Sequence, residues 1–292
     1  MQKTIFSILV SLIAILVVSC SAKTSEKTNE QVDGEQNVRI VSIGGQVTEV
    51  IAALGFANQI VARDITSTYP EEVLKSAVIG HVSKISAEGI LAHNPDQVWV
   101  AEEGMKAEVI AQLQEAGINI ITYSKEKSVN QLYELIGQVA QELKVEEKGA
   151  QLIEKVKTST PVLASNEKAQ KPKVLMVYAR GRGAMHILGK ETFAEEILAL
   201  AGAELAVTDV VGYKKLTPEA LIAANPDYLM FFESGLESLG GMEGVLTIPG
   251  VAETTAGKKK QIIAMDGAFV SGFGPRIGEA IQELATKLQT IQ

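Results

Sequence analysis

One motif occurs twice in this chain, 131 positions apart. Residues 86–100 read SAEGILAHNPDQVWV and residues 217–231 read TPEALIAANPDYLMF. Each copy sets out, in one order, a hydroxyl, a Glu two places on, a short apolar helix, Asn-Pro-Asp and an apolar run. The hydroxyl suits a helix N-cap, the Glu suits the positive end of the helix dipole, and Asn-Pro ends the helix and launches a strand. Five matched features in sequence predict two lobes of similar architecture.

The segments around the two copies alternate in period. RIVSI from Arg39 is an apolar run closed by Gly44 and Gly45, after which Thr48 opens EVIAALG at helical spacing, ending at Gly55. The pattern predicts a strand at 97–101, a helix over 106–116, a strand at 119–122 and a helix over 129–143. A second series begins at Lys173 with VLMVYA, continues through TFAEEILALAG and YLMFF, and closes with QIIAM and a helix from Arg276 to about Leu288. Strands alternating with helices predict parallel sheets covered on both faces. Residues 145–172, helical around GAQLIEKVK with Pro161 as a kink or end, read as a single bridge. The expected fold is α/β: two Rossmann-like lobes, at 38–144 and 173–292, joined by one bridging helix and leaving a cleft between them.

The first 19 residues carry Lys3, an apolar run from Ile5 to Val18 and a small residue, Ser19, and so read as a secretory signal. That run is short for a bilayer span, which needs about 20 residues. Val17, Val18 and Ser19 ahead of Cys20 resemble a bacterial lipobox, with Cys20 as the lipidated first residue of the mature chain. Residues 20–37 then form a polar, flexible tether to a cell-envelope membrane. Cys20 is the sole cysteine, so the mature fold has neither an internal disulfide nor a thiolate metal cluster. The chain's formal charge of −8 makes it a poor nucleic-acid binder and requires any anionic ligand to be met by local Arg or Lys.

In open parallel sheets, ligands sit beyond the carboxyl ends of the strands. The loops there are 44–47, 65–70, 80–84 and 101–105 in the first lobe, and 179–185, 232–239 and 267–276 in the second. Their glycine runs do not make nucleotide sites. Gly181-Arg-Gly183 lacks a third Gly and runs into the apolar HIL, residues 183–190 miss the phosphate-loop spacing, and Pro275 removes an amide from GFGPR. The chain has no nucleophile elbow and no HExxH, and His81, His93 and His186 stand apart in sequence, which argues against an enzyme. His93 matches Ala224 in the repeat and reads as a surface residue, while His81 and His186 each fall within reach of the cleft. Tyr69, in DITSTYP, reads locally as a turn tyrosine packed by its ring; its phenolate is equally a hard oxygen donor suited to ferric iron. Arg180 and Arg182, in VYARGRG, read either as a solvated basic turn or as forks for carboxylates.

Taken together, the lipobox, RIVSIGGQVTEVIAALG, DITSTYP, IGHVSKISAEGILAHNPD, GYKKLTPEALIAANPD and AMDGAFVSGFGPR resemble the haemin-binding proteins of bacterial haemin ABC importers, class III substrate-binding proteins. The resemblance runs from about Arg39 to the C-terminus, and TSTYP with GFGPR sets the haemin branch apart from the cobalamin and siderophore branches. It implies a lipid-anchored envelope protein that captures ferric haem as transported ligand and delivers it to a permease dimer with its ATPase subunits. On that resemblance Tyr69 is the axial iron ligand, and Glu88 and Glu219 dock on arginines of the permease. Arg180, Arg182 and Lys84 neutralise the propionates, His186 is the second-lobe candidate at the haem, and Phe273 covers the porphyrin. A cobalamin or ferric-siderophore carrier with Tyr69 as a cleft wall is the alternative.

Overall fold

The computed structural model describes residues 37–160 and 171–290. The expected signal segment, Cys20, the tether up to residue 36 and Pro161 lie outside the described residues. No helix among the described residues is long and apolar enough to cross a membrane.

The first lobe is built on β1 (Ile40–Ile43), β2 (Ile60–Arg63), β3 (Ala77–Val78), β4 (Gln97–Ala101) and β5 (Asn119–Tyr123), all parallel, in the order β3-β2-β1-β4-β5. The order reverses about β1, which opens a crevice beyond the carboxyl ends of β1 and β4. The second lobe contains β6 (Lys173–Ala179), β7 (Met185–Leu188), β8 (Glu204–Leu205), β9 (Tyr213–Lys215), β10 (Tyr228–Phe232) and β11 (Ile262–Met265), in the order β11-β10-β6-β7-β9 with β8 beside β6. The α/β fold with two lobes is as expected, but the second sheet is mixed. Here β7 runs antiparallel to β6, and β9 antiparallel to β7. The reason is the length of the connection: residues 180–184 form a hairpin, closed by Arg180 N–H donating to the Ala184 carbonyl at 2.9 Å with Gly181 at φ 71°. Five residues cannot make the crossover that a parallel neighbour needs. The HIL stretch is therefore the returning strand of this hairpin.

The repeated motif folds twice in the same way. Ser86 caps the helix Ala87–Leu91 by accepting from Gly89 N–H, and Thr217 caps the helix Pro218–Ala224 by accepting from Ala220 N–H, both at 3.2 Å. Asn94 and Asn225 then turn the chain with φ of 45° and 37°. The Asp of each copy reaches back to the first strand of its own lobe: the Asp96 carboxylate accepts from Arg39 N–H at 2.7 Å and that of Asp227 from Lys173 N–H at 2.8 Å.

Two boundaries differ from the sequence reading. The first helix begins at Gly45, ahead of Thr48, and passes from Ile51 into a π-helical turn over Ala52–Phe56. The Thr48 side chain is fully buried inside that helix and does not cap it. The bridging helix spans Glu146–Ser159, and Thr160 is already extended. It packs on the helix Val129–Glu142, where Gly149 leaves space for Ala140, and on the C-terminal helix Ile277–Thr290. One continuous apolar cluster passes from Trp99 and Leu132 in the first lobe to Met176, Ile263 and Leu284 in the second.

If the two caps are equivalent devices, Ser86→Ala and Thr217→Ala each lower stability by about 1 kcal/mol, read from the urea midpoint. Caps so far apart share no partners, so the double variant loses the sum of the two.

Candidate functional site

A cavity of about 850 Å³ lies between the lobes. Its walls come from the carboxyl ends of β1 and β4 (Ile43, Ala101) and of β6 and β10 (Ala179, Phe232), where parallel sheets leave strand ends and loops free to meet a ligand. The volume falls in the range of small-molecule sites.

The loop that carries Tyr69 is organised around one carboxylate. Asp64, 2% exposed, accepts from Gly44 N–H at 3.0 Å, from Thr66 N–H at 3.1 Å, and from the hydroxyls of Thr66 and Ser67. The Thr48 hydroxyl donates to Ser67 at 2.8 Å, and the Arg63 guanidinium donates to the carbonyls of Ser67 and Val73 at 2.9 and 3.1 Å. The hydroxyl run ahead of Tyr69 thus holds the turn, and Thr66 and Thr68 also reach the cavity wall. Tyr69 follows Thr68, joined to Pro70 by a cis peptide and 44% exposed; it is the neighbour of a wall residue and is not itself part of the cavity wall.

Its ring is not free. Arg276, beside the C-terminal helix, lies over it at 3.5 Å from the ring centroid and 5.0 Å from that of Phe269. The same guanidinium grips Glu49 of the first lobe in a fork, with Nη2 2.7 Å from Oε1 and Nε 3.1 Å from Oε2. The Glu49 side chain is 8% exposed and that of Arg276 23%. Burial pushes the Glu49 carboxyl above the ordinary carboxylate range, against the pull of Arg276. Burial pulls the guanidinium down, and Glu49 outweighs it, holding the Arg276 pKa raised. Gly274 is needed here, since a Cβ at that position would stand 2.8 Å from the Glu49 carboxylate. The sequence reading did not find this pair. Its one signal was an acid inside the apolar face of EVIAALG, which had no partner within its own lobe.

Charge and aromatic surface complete the walls. Lys127 lines the cavity and donates to Gln46 Oε1 at 2.6 Å, and burial pulls its ammonium down to about 8. In the second lobe the Arg180 guanidinium stands 5.6 Å from the Tyr178 ring centroid, Tyr178 meets Phe232 edge-on at 6.1 Å, and Phe232 stacks on Phe193 at 5.9 Å. Burial pushes the phenol of Tyr123 up while it donates to the Ile43 carbonyl at 3.1 Å.

Of the residues singled out in the sequence, the cavity wall includes Arg180. Arg182 sits at the tip of the hairpin and donates to the Gly244 carbonyl and the Thr247 hydroxyl, away from the cavity. Lys84 is exposed in the 3-10 turn Val82–Lys84, which His81 caps by accepting from Ser83 N–H, and it does not reach the cavity wall either. His186 is not in a loop: it pairs with Tyr178 across β6 and β7 and is half-buried there. Phe273 corrects the expectation of a porphyrin cover. Its side chain is fully buried in the core and its backbone takes φ 50°, so only its carbonyl faces the site, where it accepts from Gln46 Nε2 at 2.9 Å. The aromatic surface of the cavity wall comes instead from Tyr123 and from the half-buried Tyr178 and Phe232. His93 is half-buried just past its helix, with its carbonyl taking a hydrogen bond from Arg39. Glu88 and Glu219 are both exposed, each in the first turn of its helix.

The chain matches the family described as periplasmic binding protein over residues 40–268. The periplasmic haem-binding protein RhuT from Roseiflexus sp. RS-1, solved in apo form, is 36% identical with a TM-score of 0.81, over 87% of this chain and 98% of that one. The periplasmic haem-binding protein BhuT, solved in complex with two haems, is 32% identical with a TM-score of 0.82 over the same shares. The ABC transporter substrate-binding lipoprotein YvrC of Bacillus subtilis (strain 168), described as uncharacterized, is 28% identical over 86% of this chain and 79% of that protein.

Replacing Glu49 by Gln keeps the shape and strips the charge from the fork. The expected loss of stability is about 2–3 kcal/mol, measured by urea unfolding, because Arg276 stays partly buried without its anion. Arg276→Lys keeps the charge without the fork and loses nearly as much.

Proposed function

The chain belongs to the periplasmic binding protein family, and from that premise we propose that it captures ferric haem in the inter-lobe cleft and delivers it to the permease of an ABC importer. The observation that carries this reading is Tyr69, an exposed phenol next to the cavity-lining Thr68 on a loop tied down by four hydrogen bonds to Asp64. A rigidly held phenol oxygen is a hard donor for ferric iron. The likeness to haem-binding proteins over the full pair of lobes supports the same ligand.

Arg180 takes a propionate from the second lobe, and Tyr178 and Phe232 lie against the porphyrin. At about 0.3 kcal/mol per atom over roughly forty heavy atoms, such burial yields nanomolar affinity without a large contribution from iron. The tyrosine then selects and orients. A cobalamin carrier fits less well, since the amide-rimmed corrin needs no cation to meet carboxylates. Cys20 carries the lipid that anchors the protein in the cell envelope, and the permease dimer, with its ATPase subunits, is met through Glu88 and Glu219, one acid per lobe.

Titration of the purified protein with haemin tests the ligand by absorption spectroscopy. Tyr69→Phe is expected to lose the charge-transfer and Soret features of an oxygen-ligated ferric haem; an unchanged spectrum removes Tyr69 as the ligand. Glu88→Ala with Glu219→Ala is expected to leave haemin binding intact and to abolish transfer into permease-containing vesicles, so uptake at the wild-type rate removes the docking role.

A further inference from the structure

Four charged side chains face the cavity between the lobes: Glu49, Asp64, Lys127 and Arg180. The two anions are already satisfied. Arg276 holds Glu49 in a fork, and two amides and two hydroxyls surround Asp64. The two cations have no carboxylate within ion-pair distance among the described residues. One stands on each lobe.

Lys127 is the more constrained of the two. Its ammonium has three N–H donors, and one of them goes to Gln46 Oε1. Gln46 is itself oriented by the Phe273 carbonyl of the opposite lobe, which accepts from Gln46 Nε2 at 2.9 Å. A three-part relay across the seam therefore fixes where the ammonium stands. The side chain also lines a second cavity of about 750 Å³, which shares Tyr178, Phe232 and Ser271 with the first, so Lys127 sits where the two spaces meet. Burial draws its pKa down to about 8, and no nearby acid offsets that penalty. A desolvated cation with open donors is unfavourable until an anion reaches it.

We infer that Lys127 receives one carboxylate of the ligand while Arg180 receives another from the opposite lobe, so that the cleft selects a dianionic tetrapyrrole over a neutral one. This rests on the haem reading above and adds to it the residue and the charge selectivity. Lysine meets a carboxylate as a point charge, which tolerates the swing of a flexible acid side arm, whereas Arg180 offers a fork.

The test compares haemin, its dimethyl ester and metal-free protoporphyrin IX, all in the same dilute detergent, on wild type, Lys127→Met and Lys127→Arg. Thermal unfolding checks that the folds are equal. The expected result is that Lys127→Met weakens haemin and protoporphyrin about tenfold or more and leaves the ester within twofold, while Lys127→Arg recovers most of the loss. Haemin affinity unchanged in Lys127→Met overturns the inference alone, as does an equal loss for the ester, which would mark a structural role. Wild-type protein that takes up neither haemin nor protoporphyrin overturns the haem reading and this inference with it.

Discussion

The fork between Glu49 and Arg276 is the contact on which the geometry of the cleft depends. It joins the first helix of one lobe to the start of the last helix of the other, and both partners are largely withdrawn from water. Such a pair repays its desolvation only when both oxygens and both nitrogens are used, and here they are. Its consequences reach the site directly. The guanidinium lies over the Tyr69 ring and within 5.0 Å of the Phe269 centroid, which sets a positive charge against the tyrosine. Gly274 admits the carboxylate, and the left-handed turn at Phe273 sends that ring into the core while its carbonyl orients Gln46.

The cleft thus combines two kinds of rigidity. On the first lobe, Asp64 draws four donors to itself and leaves Tyr69 on a turn with little freedom. Across the seam, the ion pair and the continuous apolar packing against the bridging helix hold the strand ends of both sheets around one cavity. Preorganisation of this sort lowers the entropy lost on binding, since the ligand need not order the walls.

The lobes are alike in plan and different in use. In both, a capped helix, a left-handed Asn and an Asp that holds the opening strand build the same frame. The first lobe keeps an all-parallel sheet and carries Tyr69 on the loop organised by Asp64. The second inserts a hairpin after β6, which turns the sheet mixed and carries Arg182 outward to Gly244 while leaving Arg180 at the cavity.

How much of this was legible beforehand follows from the range of each interaction. The repeat, the strand and helix alternation, the caps at Ser86 and Thr217 and the exposure of Glu88 and Glu219 come from rules acting over a few residues, so the amino-acid sequence by itself determined them. The turn around Tyr69 was legible too, because its Pro neighbour and its hydroxyl run are local, whereas a ligand role for the tyrosine came only with the resemblance. The hairpin at 180–184 was local in cause, yet its apolar return strand has the same composition as a parallel one. Phe273 was misplaced because one positive φ reverses which part of a residue faces the cleft. Glu49 with Arg276, and Gln46 with Lys127, were decided by tertiary structure: the first pair spans 227 positions and joins the two lobes, the second spans 81 within the first lobe, and the one trace of either was the acid inside the apolar face of EVIAALG. Charge neutralisation is a property of what surrounds a side chain in space, and no pattern of spacing within one lobe encodes the other.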